Sequence, residues 1–518
     1  MSERVHRSLM SIKIGLVFYI LSIFLSFFSR RIFLDCLGEE FIGLTGILNN
    51  IMSYLSVAEL GIGTSIIYFL YKPLQEDNHE KINEIMSMLA FLYRRIGFII
   101  GGVGLLISFF FPWWFSKTNI GLPLVFFAFY AFLTQSMIVY IINYRQLLLA
   151  ANQKGYVVSA FFQTIGIAQY ITQIIIAYYL HNLYLWVIVG VVFTIIGCII
   201  LNHRIRKEYP WLNINLKAGG KMLHTYPEVL KKTRQVFALK MKDLILYRSD
   251  ELLVGVFVSI TQVAFYANYT MIINKLIYIV NILSDGMSAG VGNLIAEGNK
   301  KNIMKVFWEM TATRFFIMGM VIFPLLMFIQ PVICYWVGSK YLLSPLIVYL
   351  LIFNFFLRLQ YITVNMFVVA SGMYDDVWTY WCELIINILV TLALAPNYGI
   401  IGILLGKIIS VFYFNVIWKP YYLFSRGFHE SVWIYWRGMA PYYILFFIFV
   451  IVSVLIKIMI IDLLETSFLS FIVLVLTIMP ILLILYFYSM FICTLGMKYF
   501  VARNPSVYNL INRLSLIK

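Results

Sequence analysis

Long uncharged runs recur along the chain, separated by short polar breaks. A helix needs about 20 apolar residues to cross the hydrocarbon of a bilayer. By that measure the runs predict spans near residues 12–34, 41–70, 86–111, 122–144, 156–180 and 183–201. A second set lies near 236–258, 262–295, 303–330, 342–370, 377–396 and 399–418, and two more near 438–456 and 466–492. The pattern is that of an all-α integral membrane protein of about 14 transmembrane helices. The longest polar break splits the pattern in two. The predicted organisation is an N-terminal six-helix bundle over 1–202 and a basic cytoplasmic linker over 203–235. A C-terminal six-helix bundle follows over 236–424, then two additional helices and a cytoplasmic tail over 425–518.

Composition agrees. The 518 residues are 62% hydrophobic and 12% charged, where soluble domains are about 45–50% apolar and about 25% charged. The net charge of +16 does not imply a nucleic-acid partner, because membrane proteins gather Lys and Arg in cytoplasmic loops. Arg4, Arg7, Lys72, Lys81, Arg145, Lys154, the 203–235 stretch, Lys300, Lys301, Lys419, Arg426, Arg437, Lys498 and Arg503 all fall on one side of the predicted topology. The other side holds chiefly Lys117 and Lys340. Both termini of this multi-pass protein are therefore expected in the cytoplasm. One cytoplasmic turn, at Asp375 and Asp376, is acidic and runs against this trend. The apolar run from Ile14 is read as an uncleaved first span, since Arg30 and Arg31 follow it without a small-residue cleavage site. The basic linker is expected to lie against anionic headgroups.

Several classes of chemistry are disfavoured. The five cysteines are scattered, with neither metal spacing nor a disulfide framework. No G-x-x-x-x-G-K-[ST] is present, and no loop has room for a soluble catalytic or nucleotide-binding domain. No cofactor is implied, and no covalent chemistry.

The two sets of six spans resemble each other. Glu59-Leu60-Gly61-Ile62-Gly63 parallels Ser288-Ala289-Gly290-Val291-Gly292. At one common offset Arg94 falls on Arg314, Ala150 on Ala370 and Gln163 on Glu383. An even number of spans per unit predicts a parallel repeat, with a substrate path between the halves.

A charge at the bilayer centre costs roughly 2.5–3.5 kcal/mol on insertion scales, so each one needs a reason. Arg358 and Lys407 are isolated cations in mid-span. They line a wet chamber or are tied internally to a carbonyl or carboxylate. Arg30 and Arg31 close a first span that is too short without them; the plain alternative is snorkelling to the surface. The seventh span carries Lys240, Lys242, Asp243, Arg248, Asp250 and Glu251, most of them on one face. Lys275 and Asp285 lie deep in the eighth, and Glu59 is alone in the second. The plain reading of Arg94, Arg95 and Arg314 is a seat at the cytoplasmic interface, with Glu383 near the same depth. Cations gathered on a cavity would attract an anion, and Arg would bind phosphate bidentately.

At these residues the chain resembles a known family. The residues are Arg30-Arg31, then Leu37-Gly38-Glu39-Glu40-Phe41-Ile42-Gly43-Leu44, Ala58-Glu59-Leu60-Gly61-Ile62-Gly63 and Leu70-Tyr71-Lys72-Pro73-Leu74. Tyr247-Arg248-Ser249-Asp250 and Ala264-Phe265-Tyr266-Ala267-Asn268-Tyr269 complete the set. Together they look like the Wzx-type O-antigen and capsule repeat-unit flippases, polysaccharide transport proteins of the MATE-like MOP exporter superfamily. The resemblance implies a V-shaped double bundle with a central cavity. It implies alternating access that moves undecaprenyl-pyrophosphate-linked oligosaccharide units to the outer leaflet for surface polysaccharide synthesis. Carried onto this sequence, it points to Arg30, Arg31, Arg248, Lys275, Arg358 and Lys407 as substrate-binding residues. Glu59, Asp285 and Glu383 would couple H+ or Na+, or pair with the cations. A polysaccharide polymerase and a chain-length regulator are the implied protein partners. The near-neutral seventh span departs from a purely anion-binding wall. Two other functions compete: a membrane polymerase or glycosyltransferase, which usually needs a large outer loop, and a MATE-like small-molecule exporter, which for cationic drugs needs acidic cavity residues.

Overall fold

In the computed structural model the described residues are 3–229 and 248–505, apart from 60, 61, 117, 153 and 374, together with 233, 237, 241, 244–246 and 508. Side chains are described for the same residues except 3–17, 19, 57, 58, 64, 155, 156, 224, 282–290, 293, 296 and 461–466. The chain is an all-α, multi-pass membrane protein, with no strand among the described residues. Helices satisfy every backbone group internally, which is what hydrocarbon demands.

Among the described residues, 11 helices are long and apolar enough to cross a membrane. They occupy all the predicted spans but the first, second and seventh. The first span lies in α1 (Glu3–Leu37). The second is not one helix: α2 (Glu39–Leu55) ends in a 3-10 turn over Ser56–Glu59, and α3 (Ile62–Gln75) starts afresh. The polar Ser56 and Glu59 interrupt the run, and the glycines that follow weaken helix there. Most of the seventh span falls outside the described residues; its last turns form α9 (Asp250–Phe257).

The chain divides into two compact units, residues 1–267 and 268–518. In the first, α4 (His79–Ser108), α5 (Leu122–Asn143), α6 (Gly155–Ile175) and α7 (Leu183–Glu208) follow α3. Gly97, Gly101 and Gly104 of α4 lie against Ile141, Met137 and Leu133 of α5. A side chain at Gly104 would sit 2.8 Å from Leu133. Small residues let helices approach closely where lipid offers no hydrophobic drive. The helix α8 (Leu216–Thr225) belongs to this unit, and α10 (Ile260–Glu297) begins in it.

Residues 268–518 reproduce that succession of helices. α11 (Lys300–Trp336), α12 (Pro345–Ala370), α13 (Trp378–Tyr398) and α14 (Ile400–Phe428) match α4 to α7 in order. Even the caps correspond: the Asn78 side chain accepts from Lys81 N at 3.0 Å, and that of Asn299 accepts from Asn302 N at 3.2 Å. The core here is aromatic. Phe307 of α11 packs edge-on to Phe367 and Phe424, with ring centroids 5.2 and 5.4 Å apart. α15 (Val432–Thr466) and α16 (Phe468–Cys493) flank α11 through Phe446, Phe449 and Tyr486, and α17 (Leu495–Arg503) follows.

Candidate functional site

A polar cluster of residues 1–267 forms where α1, α2, α9 and the start of α10 meet. Successive helical residues point about 100° apart, so Arg30 and Arg31 part company. Arg31 is 63% exposed beside Asp35, at 3.8 Å. Arg30 is half-buried, and its guanidinium donates to the Ala264 carbonyl at 3.0 Å.

Two glycines bring α2 close to the cluster. Gly43 presses on the Ile260 carbonyl so tightly that no side chain fits there. A side chain at Gly46 would stand 3.2 Å from the Glu251 carboxylate. One turn on, Asn50 donates to Glu251 Oε2 at 2.8 Å. Buried Tyr266 donates to Asp250 Oδ2 at 2.8 Å. Arg30 and exposed Arg248 both lie close enough to act electrostatically on Glu251. The cluster thus holds basic and acidic groups side by side.

The break between α2 and α3 supports a second polar centre. Glu59 ends α2's terminal turn, and its two carboxylate oxygens accept from Tyr93 at 2.6 Å and Tyr140 at 3.4 Å. Gly63 leaves room for the pair; a side chain there would stand 3.1 Å from the Tyr93 hydroxyl.

In residues 268–518, Glu383, Asn387 and Thr391 form a buried stripe on α13. Gly406 of α14 packs against Thr391 and the Asn387 carbonyl. Neighbouring Lys407 is 7% exposed. Lys275 and Arg358 are half-buried, and none of Lys275, Arg358, Glu383 and Lys407 is free. The Asp285 side chain lies outside the described residues. Arg94 and Arg95 are exposed, over the rings of Phe98 and Phe91. Their counterpart Arg314 differs from them in being buried. It is 2% exposed, beside a small cavity lined by Gln360, Thr363 and Tyr435. Gln360 there accepts from the Tyr443 hydroxyl at 2.6 Å.

Two ion pairs tie consecutive helices. Lys154, just before α6, pairs with Glu208, the last residue of α7, which also meets Arg204 at 3.7 Å. Asp376, just before α13, pairs with Lys419 of α14 at 2.6 Å. The acidic turn that ran against the loop-charge trend is thus half of a buried pair. The linker is a built element too. Asn213 and Asn215 donate their backbone N–H groups to Asn83 and Ser87 of α4, at 2.9 and 3.0 Å. Tyr226 donates to Glu84 at 2.7 Å, and His79 stacks on Trp211 at 3.8 Å.

Asn50, Tyr93 and Tyr140 carry no charge, and in a chain with 36 Tyr no local signal marks them; Tyr266 was visible only as part of the motif at 264–269. Glu251 was visible as part of a polar helix face, but not as the group beside Arg30.

No protein-family model matches the sequence, and no curated protein does. Solved structures do. One, described as the lipid II flippase MurJ in an inward closed conformation, matches with a TM-score of 0.64 and 15% identity, covering 92% of this chain and 98% of that one. Another, described as an inward-facing multidrug resistance MATE family transporter of the MOP superfamily, matches with a TM-score of 0.53 and 12% identity over 79% of this chain and 97% of that one. The chain therefore has the fold shared by these two membrane proteins.

Proposed function

We propose that the protein is a flippase that moves an undecaprenyl-pyrophosphate-linked oligosaccharide across the cytoplasmic membrane for surface polysaccharide synthesis. The observation that carries the reading is Arg30. It is a half-buried guanidinium within a predicted span, held to the Ala264 carbonyl and close enough to Glu251 to act on it electrostatically, as Arg248 also is. Keeping a cation at that depth is costly. A guanidinium offers a planar fork of donors that matches phosphate. The phosphate of an entering substrate competes with Glu251 for Arg30.

That competition has a mechanical consequence. Asn50 and Glu251 bridge α2 to α9 in the same seam where Gly43 meets Ile260. Weakening the hold on Glu251 loosens the seam, so substrate binding and opening on that side become linked. Glu59, at the helix break, is the candidate for a coupling proton or sodium ion. The fold supports this reading, since one protein that shares it is described as a lipid II flippase.

Deletion of the gene tests the proposal. Lipid-linked repeat units should accumulate unpolymerised on the cytoplasmic face, and Arg30→Ala should reproduce this at normal protein abundance. Normal translocation with only chain extension lost would point to a polymerase instead. Wild-type glycan output from Arg30→Ala would remove the cluster from the path.

A further inference from the structure

A larger cavity lies along α2 in residues 1–267. It measures about 530 Å³, within the range of about 300–1,000 Å³ usual for small-molecule sites. Its walls are Glu40, Ile47 and Ile51 of α2, residues 113–116 and 118 after α4, and residues from 252 to 261 that run from α9 into α10.

The local sequence explains the wall chemistry. Pro112 opens a single helical turn, Phe111–Trp114. Phe111 is fully buried among Phe115, Phe126 and Phe129, with centroids 5.3, 5.6 and 4.7 Å away. That anchor leaves Trp113 and Trp114 projecting, 76% and 45% exposed. Trp114 is held by stacking on Phe110 at 5.9 Å.

Glu40 is also set in place. Its Oε1 accepts from Asn119 Nδ2 at 2.8 Å and its Oε2 from Asn119 N at 3.2 Å. Hydroxyls of Ser116, Thr118, Ser259 and Thr261 complete the rim.

We infer that this groove is a glycan-binding site, taking the sugar rings of an oligosaccharide against Trp113 and Trp114 and their hydroxyls on Glu40. Indole faces are electron-rich and attract the C–H faces of sugar rings. A carboxylate held by two N–H groups keeps lone pairs for sugar hydroxyls. The same carboxylate repels a phosphate headgroup, and an acyl chain would strip its water without returning a hydrogen bond. The groove shares its α2, α9 and α10 wall with the Arg30 cluster, but none of that cluster's charged side chains lines it, and the inference rests on the flippase reading only in that the cargo bears a glycan.

Purified full-length protein in nanodiscs tests it. The probe is the oligosaccharide released by mild acid from the cells' own lipid-linked pool, followed by tryptophan fluorescence and saturation-transfer NMR. Saturable binding is expected, at least tenfold weaker in Trp113→Ala and Trp114→Ala and several-fold weaker in Glu40→Gln. Trp114→Phe should retain most of it, which separates loss of a stacking face from misfolding. Arg30→Ala should bind the free glycan normally even where flipping is lost, so the two readings fail independently. Three results would overturn the inference: no saturable binding by the wild type, equal binding by both tryptophan-to-alanine variants, or a fluorescence response to phosphatidylglycerol vesicles in place of the glycan.

Discussion

Lys154–Glu208 and Asp376–Lys419 are the same tie built twice with opposite signs. Each joins a residue just before one helix to the C-terminal part of the next, in residues 1–267 and in 268–518. In the first the charges are 27% and 15% exposed and the acid is shared with Arg204. In the second they are 1% and 2% exposed, with Lys419 over the Tyr380 ring at 4.8 Å and donating to its hydroxyl at 3.3 Å. The geometry was kept while the polarity was not. What the fold requires at this place is opposite charge between two helix ends, and either sign order serves. What differs is the cost of losing a partner, because water can replace one in the first tie but not in the second.

The largest test strikes the buried tie. Lys419→Met strands Asp376 in a dry site and should cost about 3–5 kcal/mol, read as thermal unfolding in detergent. The double exchange Asp376→Lys with Lys419→Asp restores opposite charges and should recover more than half of that loss. No recovery would show that the rings of Tyr380 and Tyr422, and not the sign order alone, shape the site. Lys154→Met should be far milder, roughly 0–1 kcal/mol, and its effect should shrink with salt. Equal losses from Lys154→Met and Lys419→Met would break the comparison.

The smallest effect concerns the linker, which has no counterpart in residues 268–518. Burial, together with the neighbouring Glu84, pushes the Tyr226 hydroxyl up to about 12. The raised value means that the neutral hydroxyl is the form the fold favours. Its bond to Glu84 therefore contributes fully below the ordinary tyrosine value of about 10 and is lost as pH climbs through about 12. Tyr226→Phe should cost about 0.5–1.5 kcal/mol and abolish that alkaline step. Hydrogen exchange across 209–226 would read it, and an unchanged step in the variant would assign it elsewhere.

Much of the architecture was legible in the chain because lipid imposes a simple demand. A crossing segment must be apolar for about 20 residues, so the spans announce themselves even at 15% identity to a protein of the same fold. Arg30 was legible as well, as a cation that a short first span could not exclude. Breaks and long-range polar pairs were less so. The second run reads as one span because Glu59 is its only charged residue.

Hydropathy and charge along the sequence thus determined the class, the spans and the candidate cations, since each depends on residues near one another in the chain. Tertiary structure alone decided which face of α1 turned Arg30 inward and that Asn50 would meet Glu251, 201 residues away. It also decided that Asp376 and Lys419 would be sealed from water while Lys154 and Glu208 would not. The physical reason is that a hydrogen bond or ion pair takes its strength from partner and burial, and both are set by packing between helices far apart in the chain.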